Sequence, residues 1–475
     1  MGFLLVMKEY CEMNIDLKIK PVLDSDFIPA VLWRREFETK VKSGREVCAI
    51  QIAVKRLDGS VYRCEAEILP NTTEGNVNIN LRYVERLIKF IIWSYGGCEV
   101  LIAGCDEMTD EIREIYSEGG MRAFDCEIVG HSMFGKSIQV SSVSVDDMPL
   151  QKRASAKQGR HISGNRIGID LGGSDRKCAA VIDGEVVFSA EIPWSPYFEK
   201  DPNYHNEGIL HSLNMAAEHL PRVDAIGISS AGVYVDNEVR IASLFRGITD
   251  DDLFRDEVRP MFQKLMNKEF PNIPYSVIND GEVTALAGSM SMRKNHILGI
   301  AMGTSLAVGY IDGEGGISDQ INELAFAPID YSKNAPVDEW SGDTGCGVQY
   351  LSQQGVARLA SIAGFDFGEM SHADLLEEIQ KAMLLGCDRA REVYETLGVY
   401  LGYAIAHYAE FYQIETVIMM GRVMSGPGGK VIISYAEKVL NLEFPELALQ
   451  LNITQPNEAM KRHGQAVAAA SLAKI

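Results

Sequence analysis

The 475-residue chain has no long apolar run. Its most apolar stretches, such as Leu87 to Ser94, are broken by charge at Lys89 and fall far short of the ~20 residues that a membrane span needs. It has no C-x-x-C pair. The nine cysteines are scattered and odd in number, which fits reduced thiols in a cytoplasm, used mostly as small buried residues. Basic residues are in deficit. Lys and Arg number 45 against 66 Asp and Glu, a net charge of −21, which argues against nucleic acid or an anionic membrane as the main partner. The opening Met1-Gly-Phe-Leu-Leu-Val-Met7 is apolar but too short for a signal segment, and nothing basic precedes it, so a cytoplasmic protein is expected. What is present is ordinary for globular proteins: 46% apolar and 23% charged residues, at a length that implies roughly two to four domains.

The first 150 residues read as an α/β module of order ββαβαβ. Residues 47–69 form a hairpin around Asp58-Gly59. A helix is expected at about 80–95, with Leu81, Val84, Leu87, Ile88 and Ile91 on one face. A strand at 99–103, a helix near 108–118 and a strand at Asp125-Cys-Glu-Ile-Val129 follow. No catalytic constellation stands out here, and polar residues at 151–164 read as a linker. The hairpin Ala53–Pro70 and the later Ala179–Pro193 share the pattern strand, Asp-Gly, strand, Ala-Glu-Ile, Pro. That fits either a degenerate internal duplication or two hairpins built independently from the same turn chemistry.

The most informative stretch is Arg166-Ile-Gly-Ile-Asp170-Leu-Gly172-Gly173-Ser174. An apolar strand ends in a glycine turn whose bare N–H groups suit a phosphate, and Asp170 beside it suits Mg²⁺ held through water. A helix at 206–219 leads to a buried strand, 225–229, and a loop containing Gly232, at the strand end where ligands of α/β sheets collect. A strand at 275–278 ends in Asn279-Asp280 before a helix at 282–290. The carboxylate and carboxamide there can grip a substrate hydroxyl and take its proton, or Asp280 can cap the helix. Gly303-Thr304-Ser305, inside Leu298–Tyr310, repeats the strand, glycine-hydroxyl turn, strand pattern, so two loops can clamp phosphate across a cleft. Gly421-Arg422, with Ser425-Gly-Pro-Gly-Gly429 behind them, offers a flat small-residue surface for a purine. The helix at 388–412 reads as core.

In this order the motifs resemble the ROK family of sugar kinases and repressors, within the actin-like/hexokinase/Hsp70 ATPase superfamily. The resemblance covers about residues 165–475. Its carriers are Gly168-Ile-Asp170-Leu-Gly-Gly-Ser174, Asn279-Asp280, Gly303-Thr304, Met420-Gly421-Arg-Val423 and the segment Ser341–Ser352. It implies an α/β fold of two RNase-H-like halves (the actin-like ATPase fold), here with an additional N-terminal α/β domain. The divisions would be 1–150, 165–290 for the first lobe and 291–475 for the second. It implies ATP- and Mg-dependent phosphorylation of a sugar hydroxyl, with a non-catalytic sugar- or nucleotide-binding protein on the same fold as the alternative. Carried over by position, Asp170 is the metal-associated aspartate, and Gly172, Gly173 and Ser174 the first phosphate loop. Gly303, Thr304 and Ser305 are the second. Asp280 is the catalytic base, Asn279 and Glu323 bind the sugar with the Gly232 loop, and Gly421 and Arg422 pack on adenosine. A homodimer is also implied.

The sequence departs from the family pattern around the family's zinc site. Phe326 stands at the histidine position and only Cys346 remains of the cysteine cluster, so no structural zinc is expected. Ala231-Gly232 replaces Pro-Gly, and the second phosphate loop has fewer glycines. The strand-rich N-terminal domain shows no basic recognition helix, so DNA binding is not expected.

Overall fold

Alternation of apolar and polar residues on either side of Asp58-Gly59 builds the first hairpin, β1 (Cys48–Lys55) and β2 (Val61–Ile68). Helix α1 (Ala30–Ser43) precedes it, with Trp33, Phe37 and Val41 on its buried face. Helix α2 (Glu74–Ser94) follows. The Thr73 side chain caps it by accepting from the Asn76 N–H, and its second half is buried on all sides. Strand β3 (Glu99–Ala103), helix α3 (Asp106–Ile115) and strand β4 (Gln139–Ser142) complete the N-terminal part. The computed structural model describes residues 13, 15–153, 158–318, 320–456 and 464–475; the Met1–Met7 stretch and part of the linker lie outside these. Among the described residues, no helix is long and apolar enough to cross a membrane.

Two further sheets follow. The first lobe contributes β5 (Asn165–Leu171), β6 (Asp175–Ile182) and β7 (Glu185–Pro193), then helix α4 (Pro202–Ala217) and β8 (Ala225–Ser230). After these come the small hairpin β9 (Val233–Val235) and β10 (Glu238–Ile241), helix α5 (Met261–Glu269) and β11 (Tyr275–Asn279). The sheet order is β11-β8-β5-β6-β7, with β6 antiparallel to its neighbours and β5, β8 and β11 parallel. Helix α6 (Asp280–Met292) leads to β12 (Ile297–Met302) and β13 (Leu306–Ile311). Helices α7 (Gln353–Ile362), α8 (His372–Leu384) and α9 (Asp388–Tyr408) precede β14 (Thr416–Met420), α10 (Gly426–Glu443), β15 (Asn452–Thr454) and α11 (Gln465–Ala470). The third sheet, β13-β12-β14-β15, repeats the antiparallel hairpin followed by parallel strands. This is the duplicated α/β architecture that the sequence implied. Helices α6 and α11 pack on each other between the two lobe sheets.

The N-terminal sheet differs from the lobe sheets in one strand direction. Its order, β2-β1-β3-β4, mimics the lobes, but β1 pairs antiparallel with β3 where β5 pairs parallel with β8. The strand expected at 125–129 is corrected. Ala123–Asp125 and Cys126–Met133 wind as α- and π-helical turns, and the strand falls at β4. The buried positions Cys126, Val129, Gly130 and Met133 recur every three to four residues, which is the helical period. Helix α1 was not expected; its spacing of apolar residues 30, 31, 33, 37 and 41 carried the signal.

The N-terminal part and the second lobe share one hydrophobic core, joined by ring contacts such as Trp93–Phe326 (4.6 Å) and Phe90–Phe411 (4.0 Å). The first lobe keeps its own core. Six buried charges cross the N-terminal seam: Glu85, Arg86 and Lys89 of α2, Arg122 and Asp125, and Asp343 from the second lobe. Lys89 lies 3.0 Å from both Asp125 and Asp343, and Arg122 lies 2.6 Å from both Glu85 and Asp343. Burial alone would push the Asp343 carboxyl up, but Arg86 and Lys89 overcome it and hold the group below the usual carboxylate range. Three cations balance three carboxylates, so removing one member strands an unpaired buried charge. Asp343→Ala is expected to destabilise the protein by about 3–5 kcal/mol, read as a lowered midpoint in urea unfolding.

Candidate functional site

The cleft between the two lobe sheets is built first by register. On β5 and β8, Asp170 sits opposite Ser229, and the Ser229 hydroxyl donates to Asp170 Oδ1 at 2.7 Å. On the other side Asp170 faces Lys177 of β6, whose ammonium lies 3.4 Å from Asp175. Burial pushes the Asp170 carboxyl up, while Ser229 and Lys177 work against it. Neither Ser229 nor Lys177 was foreseen, because each reaches Asp170 only through strand pairing.

The first loop, Gly172-Gly173-Ser174, is closed by the Gly172 N–H donating to the Asp175 carbonyl (3.0 Å) and pinned by Trp194 Nε1 donating to the Gly172 carbonyl (2.6 Å). A Cβ on Gly173 would lie 1.9 Å from the Tyr197 hydroxyl, so close approach, rather than the turn, demands glycine here. The Arg246 guanidinium stacks on the Tyr197 ring at 4.1 Å, which brings a cation beside the loop. Across the cleft the second loop is a tight turn: the Gly303 N–H donates to the Ser305 carbonyl (2.9 Å), and the Gln353 N–H donates to the Gly303 carbonyl (2.9 Å). Thr304 and Ser305 are exposed.

Asn279 and Asp280 divide the two readings that their sequence left open. Asn279 is the cap of α6: its Oδ1 accepts from the Gly281 N–H (2.8 Å) and its Nδ2 donates to the Gly232 carbonyl (2.7 Å). Asn279 thus holds the Gly232 loop in place. Asp280 is the first residue of α6, and its carboxyl also takes backbone N–H bonds there, from Gly281 and from its own amide. Burial, and then the charge of Asp170, push its carboxyl up to about 6. Burial, and then Asp280, push Glu323 up to about 7. Asp170, Asp280 and Glu323 therefore form a chain of carboxylates that sense one another.

A cavity of about 940 Å³ runs from Asp280 and Thr284 to Gly421, walled by Met420, Lys430 and Gln465. Gly421 turns the chain at φ 93°, which suits glycine, at the end of β14. Arg422 does not join this wall. Its guanidinium pairs with Glu377 of α8 at 3.1 Å. Lys430 and Gln465 were not foreseen. Gln465 donates to the Thr284 hydroxyl at 2.5 Å, a contact 181 residues apart in sequence. Among the described residues, no cluster of three or more His, Cys, Asp or Glu is arranged to hold a metal.

A family model described as "ROK family" matches residues 166–474. No curated protein matches the chain. The structure is similar to the ROK hexokinase from Thermus thermophilus, at 17% identity and a TM-score of 0.49 over 64% of this chain and 96% of that one. It is similar to a ROK family glucokinase from Streptomyces griseus in complex with glucose and AMPPNP, at 20% identity and 0.46, over 65% and 98%. It is also similar to a ROK family transcriptional regulator, a homolog of the E. coli MLC protein, at 19% identity and 0.49, over 66% and 79%.

The raised carboxyls make a stability prediction. A group with a raised folded-state pKa supports the fold fully below its unfolded value and loses that support as pH rises through the folded value. For Asp280 that window runs from its ordinary value of 3.8 to about 6. Asp280→Asn removes the ionisation, so its melting temperature is expected to exceed the native protein's near pH 8, by an amount worth about 1–3 kcal/mol, and to match it near pH 4. Calorimetry at the two pH values checks this.

Proposed function

The chain belongs to the ROK family over residues 166–474, and on that premise we propose that it transfers the γ-phosphoryl group of Mg·ATP to a sugar hydroxyl. The observation that carries this reading is the convergence of Asp170, Asp280 and Glu323, each pushed up by burial and the last two also by the next carboxylate in the chain. Like charges held together in a cleft cost stability, and are expected where they serve chemistry.

In this reading Asp280, ionised above about pH 6, accepts the proton of the attacking sugar hydroxyl. Glu323 orients the sugar through its hydroxyls, and Asn279 does so indirectly by fixing the Gly232 loop. The N–H groups of the Gly172–Ser174 and Gly303–Ser305 turns receive the phosphates, with Lys177 and Arg246 adding positive charge at the first loop. Phosphoryl transfer is mostly positioning and charge neutralisation, and the two lobes supply both while excluding water. Mg²⁺ fits beside Asp170, where an excess of carboxylates favours a cation, and when bound it neutralises phosphate charge. Adenosine packs in the cavity that ends at Gly421.

Zinc does not fit. Phe326 fills the histidine position, buried against Trp93 (4.6 Å) and Trp340 (5.2 Å). Burial pushes the Cys346 thiol up, so it stays neutral, and Lys89 and Arg86 bring positive charge to the same spot. A dication would meet one neutral thiol beside the Asp343 carboxylate, which is already paired with Lys89 and Arg86. Metal analysis of the purified protein is expected to find essentially no zinc; one zinc per chain would overturn this.

A second reading, a binding protein without turnover, is favoured by Tyr197, which lies over Gly173 where a phosphate would settle. A coupled ADP-release assay with Mg·ATP against hexoses, N-acetylated amino sugars and pentoses separates the two. The expected result is a sugar-dependent rate of ~1–100 per second. Asp280→Asn is expected to lower that rate by roughly 10²-fold or more with sugar affinity retained. A flat panel, with a sugar that still raises the melting temperature, would establish the second reading.

A further inference from the structure

A second, smaller cavity of about 270 Å³ lies at the seam between the N-terminal sheet and the second lobe, and no residue lines both it and the cleft. Three parts of the chain meet there. The N-terminal domain brings Arg56, Tyr62 and Tyr95, and the connecting segment brings Lys152 and Arg153. The second lobe brings Tyr310, Asp312, Glu314 and Tyr412. The connecting segment is held against the N-terminal sheet by backbone bonds between Lys152 and Val61 (2.7 and 2.9 Å). The start of the stretch that reads in sequence as a linker, Gln151 to Arg153, thus forms part of the wall.

The lining has three kinds of chemistry. Arg56, Lys152 and Arg153 bring positive charge to the lining, with Asp58 beside the first two and Tyr310 near the third. Asp312 and Glu314, from the turn after β13, add carboxylates to it. Asp312 Oδ1 accepts from the Glu314 and Gly316 N–H groups, which fixes its orientation. Two tyrosine pairs also line it, Tyr62–Tyr95 with ring centroids 4.0 Å apart and Tyr310–Tyr412 at 5.1 Å. Hydroxyls of Tyr95 and Tyr310 donate to the Phe411 and Gln413 carbonyls, which locks these rings. His296 also lines the cavity, and its Nδ1 is buried with no hydrogen-bond partner among the described residues. A buried unsatisfied nitrogen costs free energy that a ligand can recover.

Clustered cations take a phosphate, carboxylates take hydroxyl protons, and aromatic planes take the C–H face of a sugar ring. The volume, about 270 Å³, falls just under the usual range of ~300–1,000 Å³, so only a small ligand fits. We propose that this cavity is a second ligand site, for a small phosphorylated sugar. Its wall also reaches the cleft: the Tyr412 hydroxyl donates to Asn322 Oδ1 (2.9 Å), and Asn322 Nδ2 donates to Glu282 Oε1 (2.9 Å). Asn322 precedes Glu323 and Glu282 follows Asp280 by two residues, so a ligand against Tyr412 bears on both carboxylate-bearing segments.

The test is calorimetric titration of the full chain with glucose 6-phosphate, mannose 6-phosphate, N-acetylglucosamine 6-phosphate and ribose 5-phosphate. Glucose and inorganic phosphate are titrated beside them. The read-out is binding and not turnover, so it stands whether or not the chain proves to be a kinase. At least one ester is expected to bind more tightly than either fragment alone. The variant K152E/R153E, which alters two exposed side chains outside the cleft, is expected to weaken that binding roughly tenfold or more. Its AMPPNP titration and ligand-free melting temperature should stay unchanged, and Arg153→Ala should show a smaller loss in the same direction. No heat from any ester overturns the proposal. So does equal binding by the variant, which would place the ester in the cleft, and so does inorganic phosphate that binds as well as every ester.

Discussion

Two absent methyl groups set the geometry of the cleft. A Cβ on Gly168 would lie 1.8 Å from the Ala466 carbonyl oxygen, and one on Gly227 would lie 1.7 Å from that of Ala469. The backbone of α11 therefore rests directly on β5 and β8, closer than any side chain allows. Gly168 and Gly227 are register partners, and so are Asp170 and Ser229, two residues further along the same face. The helix covers the glycine pair, and the next pair is the one that enters the cleft. Because α11 also packs on α6, whose first residue is Asp280, this contact places Asp170 and Asp280 relative to each other.

The N-terminal part adds a second fixed relation. It shares its core with the second lobe and closes over it with ionic and aromatic contacts. Its π-helical turn at Cys126–Met133 also touches the β9–β10 hairpin of the first lobe, which follows directly on Gly232. The same module thus contacts both lobes, on the first-lobe side beside the Gly232 loop. Within the stretch from Glu323 to Cys346, Phe326 and Asp343 are held by Trp93, Arg86 and Lys89 of α2.

What the sequence made legible was local. Strand, glycine turn, strand at Asp170 and at Gly303 survives in the structure because backbone turn chemistry is written in a few adjacent residues. Asn279-Asp280 at a strand-to-helix junction is equally local, although only the structure shows that the Asn279 amide is the cap. What stayed hidden is set by pairing over long separations. Ser229 and Lys177 reach Asp170 across strands, Gln465 reaches Thr284, and Asp343 meets α2 some 250 positions away in sequence. Arg422 stood beside a glycine that does line the cavity, yet its long side chain turned outward to Glu377, a choice that neighbouring residues do not encode. The stretch 125–129 was misread because a run of five apolar and acidic residues fits either period, and its true partners, Lys89 and Trp93, lie on α2.

The six-charge cluster constrains how this protein can change over generations. Glu85, Arg86, Lys89, Arg122, Asp125 and Asp343 sum to zero, with every member buried. Any single replacement that alters charge leaves an odd ion in a low-dielectric core, so no one-step path leads from this arrangement to a different one. Neutral drift at these positions must proceed by paired, compensating substitutions. Descendants of this chain are expected to keep all six or to lose them in opposite-charge pairs.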